Sequence, residues 1–303
     1  MIDKGFMSEN NSPIFCNYDE SDYQNRFWGE GKRAYEDASE AIALERLLPK
    51  SGRLMLEIGA GAGRNTLRYR GYERIVLMDY ALTQLQQAQQ RLGKSDRFIY
   101  VTADVYHMPF ADGLFDGATM IRVLHHLSEI NSALAEIQRV MQYQSVFILE
   151  FANKRNLKAI FRYLTGKQDW NPFSPEQVEF AELNFDNHPD TVRKVLTENG
   201  FIPEKVLTVS NLRIESLKKE KNLGWMLKLE SALQYLASPF KLSPSIFVRN
   251  RQSSEKPDAV EWEFFKCPNC HSYEIVEESE KVHCHSCGRD YPIIDGIYDF
   301  RLK

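Results

Sequence analysis

Several things are scarce in this 303-residue chain, and each scarcity narrows the field. No apolar run approaches the roughly 18 residues that a membrane-crossing helix needs, so no membrane-spanning helix is expected. The first residues, Met1-Ile2-Asp3-Lys4-Gly5, lack the apolar core of a secretory leader. There is no basic excess: 38 Lys and Arg against 42 Asp and Glu leave a net charge of −4, so the molecule as a whole has no pull toward nucleic acid or anionic lipid. Cysteine is sparse. Of five, Cys16 stands alone and four form two C-x-x-C pairs near the C-terminus, which in a chain expected in the cytoplasm favours a metal over disulfides. No internal repeat occurs, and compositional bias is confined to a glutamine-rich helix face at 84–90. What remains, 43% apolar and 26% charged, is ordinary for a globular protein, long enough for one large domain or a large and a small one.

Strand and helix patterns alternate through most of the chain. Residues 1–33 form a polar and aromatic arm with Tyr18, Tyr23, Phe27 and Trp28. Helical spacing runs from Ala34 to Leu48 and breaks at Pro49-Lys50-Ser51-Gly52. Strands are predicted at Leu54–Ile58, Arg74–Asp79, Phe98–Ala103, Phe115–Ile121 and Val146–Phe151. Helices are predicted at Ala62–Tyr69, at Leu82–Leu92 with Gly93 as its C-cap, and from an N-cap at Ser128 to Val140. This alternation argues for a doubly wound, mostly parallel sheet. Beyond the fifth strand the chain departs from it. Residues 152–190 mix basic and aromatic side chains, and a helix at Thr191–Asn199 is followed by a strand at Glu204–Ser210. A helical insertion at Ile214–Leu236 then precedes a last strand, Pro244–Arg249.

The most telling segment is Leu54-Met-Leu-Glu57-Ile-Gly59-Ala60-Gly61-Ala-Gly63: a buried strand ending in an acid and three alternating glycines. Glycines there let the backbone turn sharply and approach a ligand. The spacing is not the dinucleotide G-x-G-x-x-G, because the third small residue of that fingerprint is replaced by Arg64, too bulky for close helix–strand packing. A nicotinamide oxidoreductase is disfavoured on that ground. The pattern closely resembles motif I of the class I S-adenosylmethionine-dependent methyltransferases. The resemblance implies a seven-stranded Rossmann-like sheet, mostly parallel, with S-adenosylmethionine as cofactor bound by Glu57, Gly59, Ala60, Gly61 and Gly63.

Further motifs carry the same resemblance. Asp79 ends the second strand, 20 residues after Gly59, where a carboxylate can accept both ribose hydroxyls. Asp104 follows the third strand and in the resembled family holds the adenine amino group, with the Val105 backbone on the ring. Met108-Pro-Phe110-Ala-Asp112-Gly-Leu-Phe115-Asp116 matches a segment of the subfamily that includes quinone and wobble-uridine enzymes. Ile121-Arg122-Val-Leu-His125-His126-Leu127 matches the pocket-lining motif after it. Tyr80 and Arg122 therefore join the cofactor-binding candidates. Met141–Ser145 departs from the Pro-Gly turn usual in the family. Methyl transfer is an in-line displacement at a carbon already activated by the sulfonium, so holding donor and acceptor collinear in a dry pocket supplies much of the rate, and a base is needed only if the acceptor must lose a proton. His125, His126, Glu150 and Asn153 are the acceptor-side candidates for catalysis. No N-P-P-Y sequence supports amide or adenine methylation.

Near the C-terminus, Cys267-Pro-Asn-Cys270 and Cys284-His-Ser-Cys287 can supply four thiolates to one structural Zn2+, with His271, His283 and His285 as bystanders. The ending Tyr291-Pro-Ile-Ile-Asp-Gly296-Ile297 resembles that of the small zinc-ribbon activator of several translation-related methyltransferases, here fused to its enzyme. The organisation expected is an arm (1–33), a methyltransferase domain (34–250) with lid insertions near 152–190 and 211–244, a polar linker (251–260) and a zinc ribbon (261–303). The acceptor is expected to be a small molecule. The rival is RNA, argued from Lys154, Arg155, Lys158, Arg162 and Lys167 interleaved with aromatics, and opposed by the ten acidic and five basic residues of 257–303. A silent cofactor-binding scaffold that recruits a protein partner through the ribbon is the alternative of a different class.

Overall fold

A computed structural model describes residues 33–181, 183–214, 220–260 and 263–302. The arm at 1–32 and part of the insertion at 215–219 lie outside these. Strand β1 (Gly52–Ile58) takes the centre of the sheet because its apolar residues serve both faces: Leu56 and Ile58 join one core, Met55 the other. It pairs in parallel with β2 (Tyr72–Asp79) and β4 (Phe115–Met120). Then β3 (Phe98–Thr102) joins beside β2 and β5 (Met141–Ala152) beside β4. Two antiparallel strands, β8 (Phe201–Val209) and β9 (Ser245–Gln252), close that side, giving the order β3-β2-β1-β4-β5-β9-β8.

Helices cover both faces. α1 (Ala34–Leu47), α2 (Leu82–Leu92) and α6 (Leu223–Leu236) lie on one. α3 (Ile130–Val140) and α5 (Pro189–Glu198) lie on the other, where Leu134, Ile137, Val192 and Leu196 meet Phe147 and Leu149. Between β5 and α5 the chain inserts α4 (Leu157–Leu164) and a hairpin of β6 (Val178–Ala181) and β7 (Asn184–Asp186).

Three local expectations are corrected. Ala62–Tyr69 is not a helix but a run of turns with one 3-10 turn at Thr66–Arg68, because Gly59, Gly61 and Gly63 all take positive φ and leave no nucleus to propagate. Ser128 is not the N-cap of α3: the helix starts at Ile130 with Glu129 in that place and no side-chain cap. β5 begins at Met141, directly after α3, with Gln144 at φ 63° where the resembled family turns through Pro-Gly.

The largest difference concerns the C-terminal segment. Its strands β10 (Ile275–Glu277), β11 (Lys281–Cys284), β12 (Asp290–Ile294) and β13 (Ile297–Asp299) extend the main sheet, because β13 pairs in parallel with β3 at Ile297↔Tyr100, Tyr298↔Val101 and Asp299↔Thr102. Phe265, Tyr291, Tyr298 and Phe300 pack with Phe110 and Phe115 in the same core. The polar linker is held too. Arg251 and Gln252 belong to β9, and Lys256 donates to the last carbonyls of α3 at Gln138 and Arg139.

Candidate functional site

The C-terminal ends of β1, β2, β3 and β4 converge on one cleft, where parallel α/β sheets bind ligands. Gly59, Gly61, Asp79, Tyr80, Asp104, Val105, Arg122 and His126 line it, with Ile58, Ala103, Val123 and Leu127 as its apolar wall. At φ +52° Gly61 has no protein atom within 4 Å of where a Cβ would sit, so its backbone faces open space. Gly59, at φ +67°, abuts the Val123 side chain and leaves no room for a Cβ. Gly63 differs: its Cβ position faces Leu92, Thr66 and Ala88, so it serves the packing of α2 rather than the cleft.

Asp79 braces the loop. One carboxylate oxygen accepts from Gly61 N at 2.8 Å and the other from Ala81 N at 2.9 Å. Asp104 accepts from Tyr106 N at 2.9 Å and lies 3.4 Å from His107 Nδ1, whose ring it holds above the ordinary histidine range. Glu57 is buried beneath the loop in a second cavity with Ala60 and Arg64. It accepts from Thr66 Oγ1 at 2.6 Å and Tyr69 OH at 3.3 Å, yet burial pushes its carboxyl up to about 7.

Charge in this cavity is organised by α1. Buried Glu40 pairs with Arg64 at 2.6 Å and accepts from Arg122 Nε at 2.6 Å, and the two guanidiniums hold its carboxyl below the usual range despite desolvation. Asp37 also pairs with Arg64, and with Arg68 at 2.6 Å. Arg122 takes φ 59°, a strained conformation for a non-glycine residue, and its backbone N–H donates to Glu150 at 2.8 Å. Glu150 in turn accepts from Ser245 Oγ at 2.6 Å, and burial raises its pKa. Glu150 thus holds the Arg122 turn from below.

His125 and His126 sit with ring centroids 4.0 Å apart, and burial lowers both pKa values, leaving neutral imidazoles. Only His126 lines the cleft. Its Nδ1 lies 3.2 Å from Leu183 O in the turn of the β6–β7 hairpin, which assigns the ring proton to Nδ1 and makes Nε2 the basic nitrogen. The hairpin also carries Asp186, whose carboxyl burial pushes up to about 6. Asn153 is a correction. Its amide donates to Lys241 O and Ser243 O and its oxygen accepts from Arg155 N, so the side chain clamps a loop and is spent before any acceptor arrives. Lys154 is likewise no surface cation: its Nζ donates to Ser174 O, Ser174 Oγ and Glu176 O. Sequence reasoning missed Glu40, Arg64 as a charge partner, and Asp186.

The second constellation lies in the C-terminal segment. The sulfurs of Cys267, Cys270, Cys284 and Cys287 all fall within 4.8 Å of one another, with Cys267–Cys287 at 3.8 Å and Cys270–Cys284 at 3.5 Å. Zinc–sulfur bonds of about 2.3 Å in a tetrahedron place sulfurs about 3.8 Å apart, so the donor set fits that ion. Each C-x-x-C turn is closed by a left-handed residue, His271 at φ 59° and Gly288 at φ 70°, and Tyr291 OH lies 3.1 Å from the Cys267 sulfur.

Residues 56–149 match the family described as methyltransferase domain. A 2-phytyl-1,4-naphtoquinone methyltransferase from Nostoc punctiforme is 27% identical over 191 residues, covering 52% of this chain and 77% of that protein. This enzyme is an S-adenosylmethionine-dependent methyltransferase. Its fold is shared with an S-adenosylmethionine-dependent methyltransferase from Listeria monocytogenes, at 14% identity and TM-score 0.53 over 73% of this chain and all of that one. It is shared equally with a chain from the complex of the Haloferax volcanii Trm112 methyltransferase activator and a methyltransferase, at 14% identity and TM-score 0.53 over 78% and 96%. The methyltransferase has no helix, among the described residues, long and apolar enough to cross a membrane.

Proposed function

We propose that the enzyme methylates a small, largely apolar acceptor, an aromatic ring or enolisable carbon of the quinone class, with the β6–β7 hairpin as the roof of its acceptor pocket. The observation that carries this reading is the roof itself: the insertion after β5 bonds to His126 through Leu183 and to Leu127 through Gln177 at 3.2 Å, over a cleft walled by Ile58, Val123 and Leu127. The Nostoc relative, whose name specifies a phytyl naphthoquinone, supports the acceptor class.

Within this reading Asp79 receives the ribose hydroxyls, Asp104 with the Val105 backbone and Tyr80 hold the adenine, and Gly59 to Gly61 with Glu57 receive the amino-acid end. S-adenosylmethionine supplies an activated methyl carbon. The chain's own residues exclude water, fix the acceptor in line and, where a hydroxyl or C–H is deprotonated, take that proton at His126 Nε2. A zinc ion held by the four thiolates ties the ribbon against β3, an internal counterpart of a separate activator subunit.

The test is transfer of labelled methyl from S-adenosylmethionine into cell extract divided into RNA, protein and lipid-soluble fractions. Label in the lipid-soluble fraction is expected. Label confined to RNA overturns the acceptor assignment in favour of a nucleic-acid methyltransferase. His126→Gln is expected to lower kcat at least tenfold with cofactor affinity unchanged. Because burial depresses the His126 pKa, the wild-type rate is expected to stay level down through the ordinary histidine range and fall only below it.

A further inference from the structure

α4 is inside out. Its apolar residues Leu157, Phe161 and Leu164 lie at i, i+4 and i+7 on one stripe, and they are 63%, 64% and 72% exposed. The position facing the protein is the small Ala159, 4% exposed. A surface helix normally buries its apolar stripe, so this one is arranged for something other than its own domain. The stripe continues onto the turn after α6. Leu157 N donates to Leu242 O at 3.0 Å and the Arg155 guanidinium to Phe240 O at 3.4 Å, which sets exposed Phe240 beside the start of α4.

Charge identifies the occupant. Residues 155–167 carry Arg155, Lys158, Arg162 and Lys167 and no acid, in a chain whose net charge is −4. Lys158 and Arg162 flank the stripe one helical step to its side and are exposed. An apolar stripe edged by cations on an interfacial helix matches an anionic phospholipid surface, where the apolar side chains enter the acyl boundary and the cations meet the headgroups. The helix belongs to the same insertion as the hairpin over His126.

We propose that α4 and the turn at Phe240 seat the enzyme on an anionic phospholipid bilayer, from which an apolar acceptor reaches the roofed pocket. The proposal builds on the small apolar acceptor assigned above, but the docking can be measured without any acceptor.

The experiment is flotation of the zinc-loaded full-length protein with phosphatidylcholine vesicles, with and without phosphatidylglycerol. Binding to the phosphatidylglycerol vesicles is expected, weakened in about 0.5 M sodium chloride, where the screening length falls to roughly 4 Å. Leu157→Ser/Phe161→Ser/Leu164→Ser is expected to lose at least tenfold in vesicle affinity, and Lys158→Glu/Arg162→Glu to lose the preference for the anionic lipid. Calorimetric binding of S-adenosylmethionine is expected to be unchanged in both variants, which shows that they are folded. Failure of wild type to float, or equal flotation of all three proteins, overturns the proposal. So does a concentration-dependent dimer that the triple serine variant disperses, or binding of labelled RNA in place of vesicles. Methyl label confined to RNA would overturn the acceptor assignment and leave the flotation result standing by itself, so the two failures are distinguishable.

Discussion

Glu57 and Glu40 are carboxylates a short distance apart with opposite electrostatics, and each yields a prediction. Glu57 is buried with hydroxyl donors, so desolvation wins and its pKa rises from 4.5 to about 7. Between those values the folded protein binds the proton that the unfolded chain has released, so this residue's contribution to stability falls as pH rises from about 4.5 to 7. At about 1.4 kcal/mol per pKa unit the loss is roughly 3 kcal/mol. Glu57→Gln removes the dependence. The melting-temperature difference between variant and wild type is expected to shift in the variant's favour from pH 5 to pH 8, and an unchanged difference would refute the assignment. Glu40 lies between two guanidiniums, so attraction outweighs desolvation. Removing it leaves Arg64 to Asp37 and takes from Arg122 its buried carboxylate, at a cost of about 3 kcal/mol. For a domain of this size that corresponds to a drop of roughly 10 °C for Glu40→Ala, read by calorimetry at pH 7. The importance of Glu40 was not legible in the chain: an acid on a helix is ordinarily solvated, and its partners lie 24 and 82 residues away. Glu57 and Asp79 were legible because strand ends and glycine spacing are local patterns.

At the scale of elements, β13 and the residues after it join the four-cysteine segment to the cleft. Asp299, at the end of β13, pairs with Arg301 at 2.7 Å, and the Arg301 guanidinium lies over the Tyr80 ring at 5.7 Å and 3.4 Å from Tyr80 O. Tyr80 lines the cleft beside Asp79. Under the cofactor placement proposed above, loosening the four-cysteine segment frees the adenosine side of the pocket. Removal of metal with a chelator, or Cys267→Ser, is expected to weaken S-adenosylmethionine at least tenfold by calorimetry, and Arg301→Ala to weaken it severalfold while metal content stays at about one ion per chain. Equal affinity with and without metal would break this link. The strand expected at Leu54–Ile58 was readable because it is a short apolar run that ends in a turn-forming glycine loop. The pairing of β13 with β3 was not, because nothing local in Ile297–Asp299 states which edge will receive it. The helix expected at Ala62–Tyr69 failed for another reason: the alternation of strand and helix patterns pointed to a helix where three left-handed glycines prevent it.

For the whole molecule, the ribbon's placement solves a problem that the seven-stranded core would otherwise present. β3 would be an exposed parallel edge, with free N–H and C=O groups along Phe98–Thr102 and the aromatic rings of Phe110 and Phe115 near the surface. β13 satisfies that edge, while Phe264 and Phe265 cover the Phe110 ring, with Phe300 packed behind Phe265. A segment of under fifty residues has little core of its own, so docking contributes to its folding, and the proposed metal would add to it. A chain ending at residue 256 should therefore lose more than a passive appendage. It is expected to accumulate in the insoluble fraction, and any soluble portion to bind a dye for exposed apolar surface and to melt well below the full chain. Supplying residues 257–303 as a separate zinc-loaded polypeptide during refolding should restore solubility if pairing with β3 is the stabilising contact. Replacing Tyr298 by proline in that polypeptide should prevent the rescue, since Phe300 N donates to Thr102 O and the N–H two residues earlier faces the same edge, so proline there removes a donor from the β3–β13 ladder. A soluble, well-folded core that ends at residue 256 would show that the edge is protected by other means.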